Sequence, residues 1–217
     1  MFTGIIEEIG TVKKAAQIGN TIKLVIQAEK ILADAQLGDS IAVNGVCLTV
    51  TQLHQDSFTA DVMPETYRST SLRGLRERSK VNLERAMSAN GRFGGHFVTG
   101  HVDGTGKILK ISPSENAIYF EISVPETMGH FLMMKGSVAI DGTSLTIFGV
   151  TEQSVTVSII PHTAKETVIG SKNIGDEVNI EFDMLAKYLY SFVNRREYKQ
   201  EGQSGITEGF LKDNGFI

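Results

Sequence analysis

Two short stretches of this 217-residue chain set a small nucleophile-grade side chain two residues before a hydroxyl. They are Cys47-Leu48-Thr49 and Ser144-Leu145-Thr146. Residues two apart on an extended strand share a face, so each stretch presents a thiol or hydroxyl beside a threonine. Such groups hold or activate water and substrate hydroxyls, and a thiolate can add to carbon. The plainer alternative is a small buried hydrophobe at Cys47 flanked by ordinary strand-forming threonines. Recurrence of the arrangement 97 residues later weighs against it.

Each stretch has a companion. Met63-Pro64-Glu65-Thr66 and Ile160-Pro161-His162-Thr163 carry a Pro-x-Thr turn, which can open a helix and aim free backbone groups at a planar ligand. A bare structural turn fits the same residues equally well. The copies differ in the groups that titrate: Ile5 is opposed by His101, Glu65 by His162, Cys47 by Ser144 and Gly38 by Lys135. The gathering of His101, Lys135, Asp141 and Asp183 in one copy points to proton transfer there, with His96 five residues ahead of His101. No metal is expected, because the histidines lack close ligand spacing and Cys47 is the only cysteine. The sequence has no glycine-rich phosphate loop opening a helix and no catalytic-triad signature.

An internal repeat positions these residues. SIAVNGVCLTV at 40–50 and SVAIDGTSLTI at 137–147 share five of eleven residues. Pro64 and Thr66 match Pro161 and Thr163, and Val81, Asn82 and Glu84 match Val178, Asn179 and Glu181, all at an offset of 97. Thr3-Gly4-Ile5-Ile6-Glu7 matches Thr99-Gly100-His101-Val102-Asp103 at 96. The boundary falls in the glycine-rich stretch 88–95, giving copies at 1–90 and 97–183. Within each copy the apolar period is two, as in Ile22, Leu24 and Ile26, and Asn44-Gly45 and Asp141-Gly142 predict tight hairpins. Many short strands in fewer than 100 residues predict an all-β fold of two tandem antiparallel barrels, with short helical pieces at 29–35, 65–72 and 126–133.

Beyond the second copy the period changes. Leu185, Tyr188, Leu189, Phe192 and Val193 recur at three and four residues, which predicts an amphipathic helix over 184–200 with Arg195 and Arg196 near its end. Its apolar stripe needs a partner, by packing back on a barrel or by self-association. The glycine-rich tail 201–217 is expected to be mobile.

Composition narrows the classes. Hydrophobic residues make up 41% and charged residues 21%, ordinary for a globular protein. A net charge of −4 with scattered lysines and arginines gives no case for nucleic acid or an anionic membrane. One cysteine excludes an internal disulfide framework, no apolar run approaches a membrane span, and the N-terminus lacks an export pattern, so a cytoplasmic location is expected.

The blocks MFTGIIE, NGVCLTV, MPETYRSTSL, GGHFVTGHVDG, KGSVAIDGTSLT and IIPHTAKETV together resemble the alpha-chain riboflavin synthases over residues 1–190. The resemblance implies two six-stranded Greek-key β-barrels followed by a C-terminal α-helix, assembled as a homotrimer around that helix. It implies dismutation of two molecules of 6,7-dimethyl-8-ribityllumazine into riboflavin and 5-amino-6-(D-ribitylamino)uracil. A four-carbon unit moves between them without a cofactor, at a site where one chain's N-terminal barrel meets a neighbour's C-terminal barrel. Association with a lumazine synthase capsid is a further expectation of the family. By resemblance the N-terminal pocket uses Gly4, Ile5, Ile6, Ser40, Cys47, Leu48, Thr49, Asp61, Val62, Met63, Pro64, Glu65 and Thr66. The C-terminal pocket uses Gly100, His101, Val102, Lys135, Ser144, Leu145, Thr146, Ile160, Pro161, His162 and Thr163. Phe2, Cys47, His101, Ser144 and Asp183 match positions tied to catalysis, His101 being expected to handle protons and Ser144 to position water or a substrate hydroxyl. The lumazine C7 methyl is acidic because its anion delocalises into the ring, so a neutral histidine suffices as base. The alternative is a non-catalytic lumazine or flavin carrier, in which one pocket is functional and the other decayed.

Overall fold

The computed structural model describes residues 1–19, 21–201 and 208–216. The first copy forms β1 (Glu8–Ile18), β2 (Thr21–Gln27), β3 (Ser40–Val43), β4 (Val46–His54), β5 (Ser57–Val62) and β6 (Lys80–Arg85). The second forms β7 (Gly104–Ser114), β8 (Ala117–Ser123), β9 (Ser137–Ile140), β10 (Thr143–Val150), β11 (Ser154–Ile159) and β12 (Glu177–Phe182). Each set closes into an antiparallel barrel, in the order β1-β2-β5-β4-β3-β6 and its equivalent β7-β8-β11-β10-β9-β12. The steps β2 to β3 and β5 to β6 skip neighbours, which gives the Greek-key order.

Closure depends on local irregularities that the copies share. Register shifts occur between Val12 and Lys14 and, 96 residues on, between Ile108 and Lys110. Another pair lies between Val50 and Gln52 and between Ile147 and Gly149. Bulges of this kind bend a strand and let a small sheet curl onto itself. The period-two pattern fills the barrels: Leu24, Ile26, Phe58 and Leu83 are buried in one, and Phe120, Ile122, Ile147 and Ile180 in the other. Their interiors are packed cores, so binding chemistry falls to the outer faces.

The barrels meet at their tightest turns. Asn44 and Gly45 have φ of 47° and 79°, and Asp141 and Gly142 have 45° and 80°, as a type I′ hairpin requires. The two turns lie back to back, and a Cβ on Gly45 would sit 2.7 Å from the Gly142 nitrogen. Reciprocal side-chain bonds cross the contact. Asn82 Nδ2 donates to the Asp141 carbonyl at 2.9 Å, and Asn179 Nδ2 donates to the Asn44 carbonyl at 2.8 Å. These amides are buried, and each also accepts a peptide N–H from the other barrel, Val168 to Asn82 and Ser71 to Asn179.

The short helical pieces appear as a 3-10 turn at Lys30–Leu32, helix α1 (Pro64–Ser69) and a 3-10 turn at Gly129–Phe131. The second copy adds α2 (Pro161–Glu166), the counterpart of α1. The two barrels form one compact unit, Met1–Met184. Beyond it runs helix α3 (Met184–Glu201), on which Leu185, Tyr188, Leu189, Phe192 and Val193 are all exposed. In the tail, Glu208–Asp213 form α4, while residues 202–207 and 217 lie outside the described residues. Among the described residues no helix is long and apolar enough to cross a membrane.

Candidate active site

On β4 the side chains of Val46, Leu48 and Val50 point into the first core, leaving Cys47 half-buried and Thr49 exposed on the outside. The second copy repeats this on β10, with Leu145 and Ile147 inside and Ser144 and Thr146 outside. Cross-strand pairing extends each into an outer row, because directly opposed residues share a face. In the first barrel Ser40 pairs with Thr49, and Lys23 pairs with Asp61, whose carboxylate its ammonium meets at 2.8 Å. In the second, Ser137 pairs with Thr146 and Tyr119 with Ser158. The rows are alike in place and unlike in chemistry: an ion pair in one stands where a phenol and a hydroxyl stand in the other.

The Pro-x-Thr motifs end these rows. Met63 and Ile160 are extended residues, exposed at the N-terminal edges of α1 and α2, and a proline occupies the first helical turn in each. Thr70 and Thr167 close the short helices by donating to the Thr66 and Thr163 carbonyls at 2.6 and 2.7 Å. Val62 is buried, while Glu65 and His162 are exposed.

The segments ahead of each barrel are exchanged. Gly4, expected with the first pocket, accepts the peptide N–H of Ser144 in the second barrel at 2.8 Å. Gly100, expected with the second, accepts that of Cys47 in the first at 2.9 Å. Val102 packs against the first core. Both glycines have positive φ, and a Cβ on Gly100 would fall 2.5 Å from Cys47 Cβ. Buried carboxylates pin these roofs. Glu84 accepts from Thr3 N, Thr3 Oγ1 and Gly4 N at 2.7, 2.7 and 3.0 Å, and Glu181 accepts from Thr99 and Gly100 in the same way. Burial pushes the Glu84 carboxyl above its ordinary range despite those donors.

Phe2 is fully buried between the barrels, with Ala42, Val98 and Ala139 around it and Cys47 at the edge. His101 is exposed on its roof segment, its peptide N–H donating to Thr99 Oγ1 at 3.2 Å. Lys135 is exposed with φ of 65°, and its ammonium lies 4.3 Å from the centre of the Phe148 ring, which in turn meets Tyr119 edge-on. Asp183 is half-buried at the junction of β12 and α3. Ile6 is half-buried on the first roof. A cavity of about 460 Å³ beside the first barrel is lined by Ile5 and Ser40 together with Glu7, Arg85, Asp34 and Arg92. Arg85 binds Glu7 and Asp34 there. The charge and hydrogen bonds of Arg85 overcome burial and hold the Glu7 carboxyl below its ordinary range. Cys47 and the α1 motif do not line this cavity.

His96 is the residue the repeat could not reveal. Its ring is buried, and Nδ1 lies 2.7 Å from Ser144 Oγ. At an offset of 96 its counterpart would precede Met1, so comparison of the copies is silent there.

Comparison with known proteins matches the division into two barrels. The lumazine binding domain family matches residues 3–86 and again 99–183, one match for each barrel. The chain is 54% identical to riboflavin synthase of Bacillus subtilis (strain 168) over 216 residues, covering all of both chains. It is 50% identical, again over both full lengths, to riboflavin synthase of Actinobacillus pleuropneumoniae. A solved structure of LumP complexed with 6,7-dimethyl-8-(1'-D-ribityl) lumazine superposes with a TM-score of 0.75 at 26% identity, covering 83% of this chain and 98% of that one.

Proposed function

The chain belongs to the riboflavin synthase family, built on two lumazine-binding domains, and from that premise we propose how its barrels divide one reaction. Two molecules of 6,7-dimethyl-8-ribityllumazine enter. One surrenders a four-carbon unit and leaves as 5-amino-6-(D-ribitylamino)uracil; the other gains that unit and becomes riboflavin. The observation that carries this reading is the pair of roofed outer rows, equivalent in place and different in chemistry. A reaction between identical molecules needs two similar seats, and distinct roles for the two molecules need those seats to differ.

Each lumazine lies along an outer row, beside Cys47, Thr49 and α1 on one barrel and beside Ser144, Thr146 and α2 on the other. Thr49 and Thr146, both exposed, offer hydroxyls to the heterocycle. His101, exposed on the roof above Cys47, takes and returns the proton of the C7 methyl. Holding both rings in place turns a bimolecular encounter into an oriented one, lowering the barrier by about 7–11 kcal/mol. The same reading has the N-terminal barrel of one chain facing the C-terminal barrel of its neighbour in a cytoplasmic homotrimer that associates with a lumazine synthase capsid. The exposed apolar stripe of α3 supports the trimer.

A carrier role is favoured by the likeness to LumP, at 26% identity. Identities of 50–54% to synthases over the full chain outweigh it, and both barrels keep the small residue, the threonine and the Pro-x-Thr helix. Incubating pure protein with the lumazine alone decides between them. Riboflavin and the pyrimidine appear in equal amounts if the chain is a synthase; bound but unchanged lumazine marks a carrier.

A further inference from the structure

Cys47 and Ser144 are equivalent, yet Ser144 alone of the two has a histidine bonded to its side chain among the described residues. His96 Nδ1 lies 2.7 Å from Ser144 Oγ. The backbone that carries the ring is held against the strand of Ser144. The His96 peptide N–H donates to the Thr3 carbonyl at 3.1 Å, and a Cβ on the preceding Gly95 would fall 2.9 Å from Ser144 Cβ. Only 7% of His96 is exposed, and its Nε2 is buried with no hydrogen-bond partner among the described residues.

That unpartnered atom separates the two neutral tautomers. With its proton on Nε2, the ring would bury an N–H against no acceptor, the costlier kind of unmet group. With its proton on Nδ1, it leaves only a lone pair unmet at Nε2, and the N–H points at Ser144 Oγ. Burial disfavours the imidazolium against the opposing charge of Asp183, so a single proton is carried at neutral pH.

We propose that His96 is a positioning residue which, as the Nδ1–H tautomer, donates to Ser144 Oγ and thereby directs the serine proton at the lumazine on the second barrel. The inference rests on the synthase reading above. Ser144 Oγ accepts from the histidine, so its own O–H is free to donate outward. Cys47 offers only a weakly donating thiol at the matching place. The second seat thus holds a directed donor that the first lacks.

Two measurements on the full chain test this. In ¹⁵N NMR of labelled wild type, His96 shows a protonated Nδ1 and a bare Nε2; a protonated Nε2 overturns the proposal. In steady-state turnover, His96→Ala lowers kcat about tenfold, the loss of one hydrogen bond, with a smaller change in KM. His96→Asn, whose amide N–H can reach Ser144 Oγ, recovers most of that loss. An alanine variant as fast as wild type, or an asparagine variant as slow as alanine, contradicts the role. Should His96→Ala fail to fold, the asparagine variant and the wild-type spectrum still decide. Absence of riboflavin from the wild type itself instead refutes the synthase reading and leaves the tautomer result standing.

Discussion

Cys47 donates its peptide N–H to the carbonyl of Gly100, 2.9 Å away, so the strand of one copy is roofed by the leading segment of the other. The mirror bond from Ser144 to Gly4, at 2.8 Å, makes the exchange reciprocal. Each row of candidate site residues is therefore completed by the opposite half of the chain.

Gly100→Ala should lift that roof. The residue has φ of +81°, where an L side chain is strained, and its new Cβ would meet Cys47 Cβ at 2.5 Å. The expected cost is about 1–3 kcal/mol of stability in chemical denaturation, with turnover falling alongside. A variant with unchanged stability and rate would show that the roof contact is incidental.

The copies supply an internal control at the inter-barrel hub. Asp141, fully buried, has Lys172 Nζ 3.2 Å from its Oδ2. The counterparts in the first barrel are Asn44 and Leu75. Burial already pushes the Asp141 carboxyl above its ordinary range against the pull of Lys172. Lys172→Leu alone therefore leaves a buried carboxyl without its lysine partner and should destabilise by about 1–3 kcal/mol. Adding Asp141→Asn recreates the first barrel's pair and should recover most of the loss. Equal denaturation midpoints for the single and double variants would refute the coupling.

Stability should also depend on pH through His96. Burial pushes its imidazole below the ordinary value of about 6.5, with Asp183 opposing. The unfolded chain therefore takes up the proton first, and the stability contributed by neutral His96 is complete above about pH 6.5 and lost as the pH falls toward the folded value. Glu84 acts with the opposite sign, stabilising when protonated and losing that contribution as the pH rises through its elevated value. The clean readout is a difference: unfolding free energy falls less steeply between about pH 7 and 5 in His96→Asn than in wild type. Parallel curves would mean that His96 takes up its proton as readily in the fold as in the unfolded chain, which contradicts a buried neutral ring.

Assembly is tested by truncation after Met184, which removes the exposed stripe carried by Leu189, Phe192 and Val193. Monomers with weak activity are expected in sedimentation and turnover. A fully active, still trimeric product would contradict trimer formation through α3.

The repeat made much of this legible. Asn44-Gly45 and Asp141-Gly142 announced their hairpins through turn chemistry, and alternation placed Cys47 with Thr49 and Ser144 with Thr146 on common faces. The roof exchange was hidden, because a repeat reports which residues are equivalent and not which ones touch. The family resemblance puts Gly4 with the first pocket and Gly100 with the second, whereas their carbonyls accept from Ser144 and Cys47 on the opposite barrels. Residue types alone did not reveal the bonded position of His96, since its counterpart would lie ahead of Met1. Alternation also could not say that the core-facing side would be filled by Leu48, Val50, Leu145 and Ile147, leaving the outer face for chemistry.

Each chain is expected to seat two lumazines, one on each barrel. Titrating the full chain with a lumazine analogue that lacks the C7 methyl, and therefore cannot react, tests it most directly by calorimetry. Two analogue molecules bound per chain, with unequal affinities, is the predicted result; saturation at one per chain would contradict it.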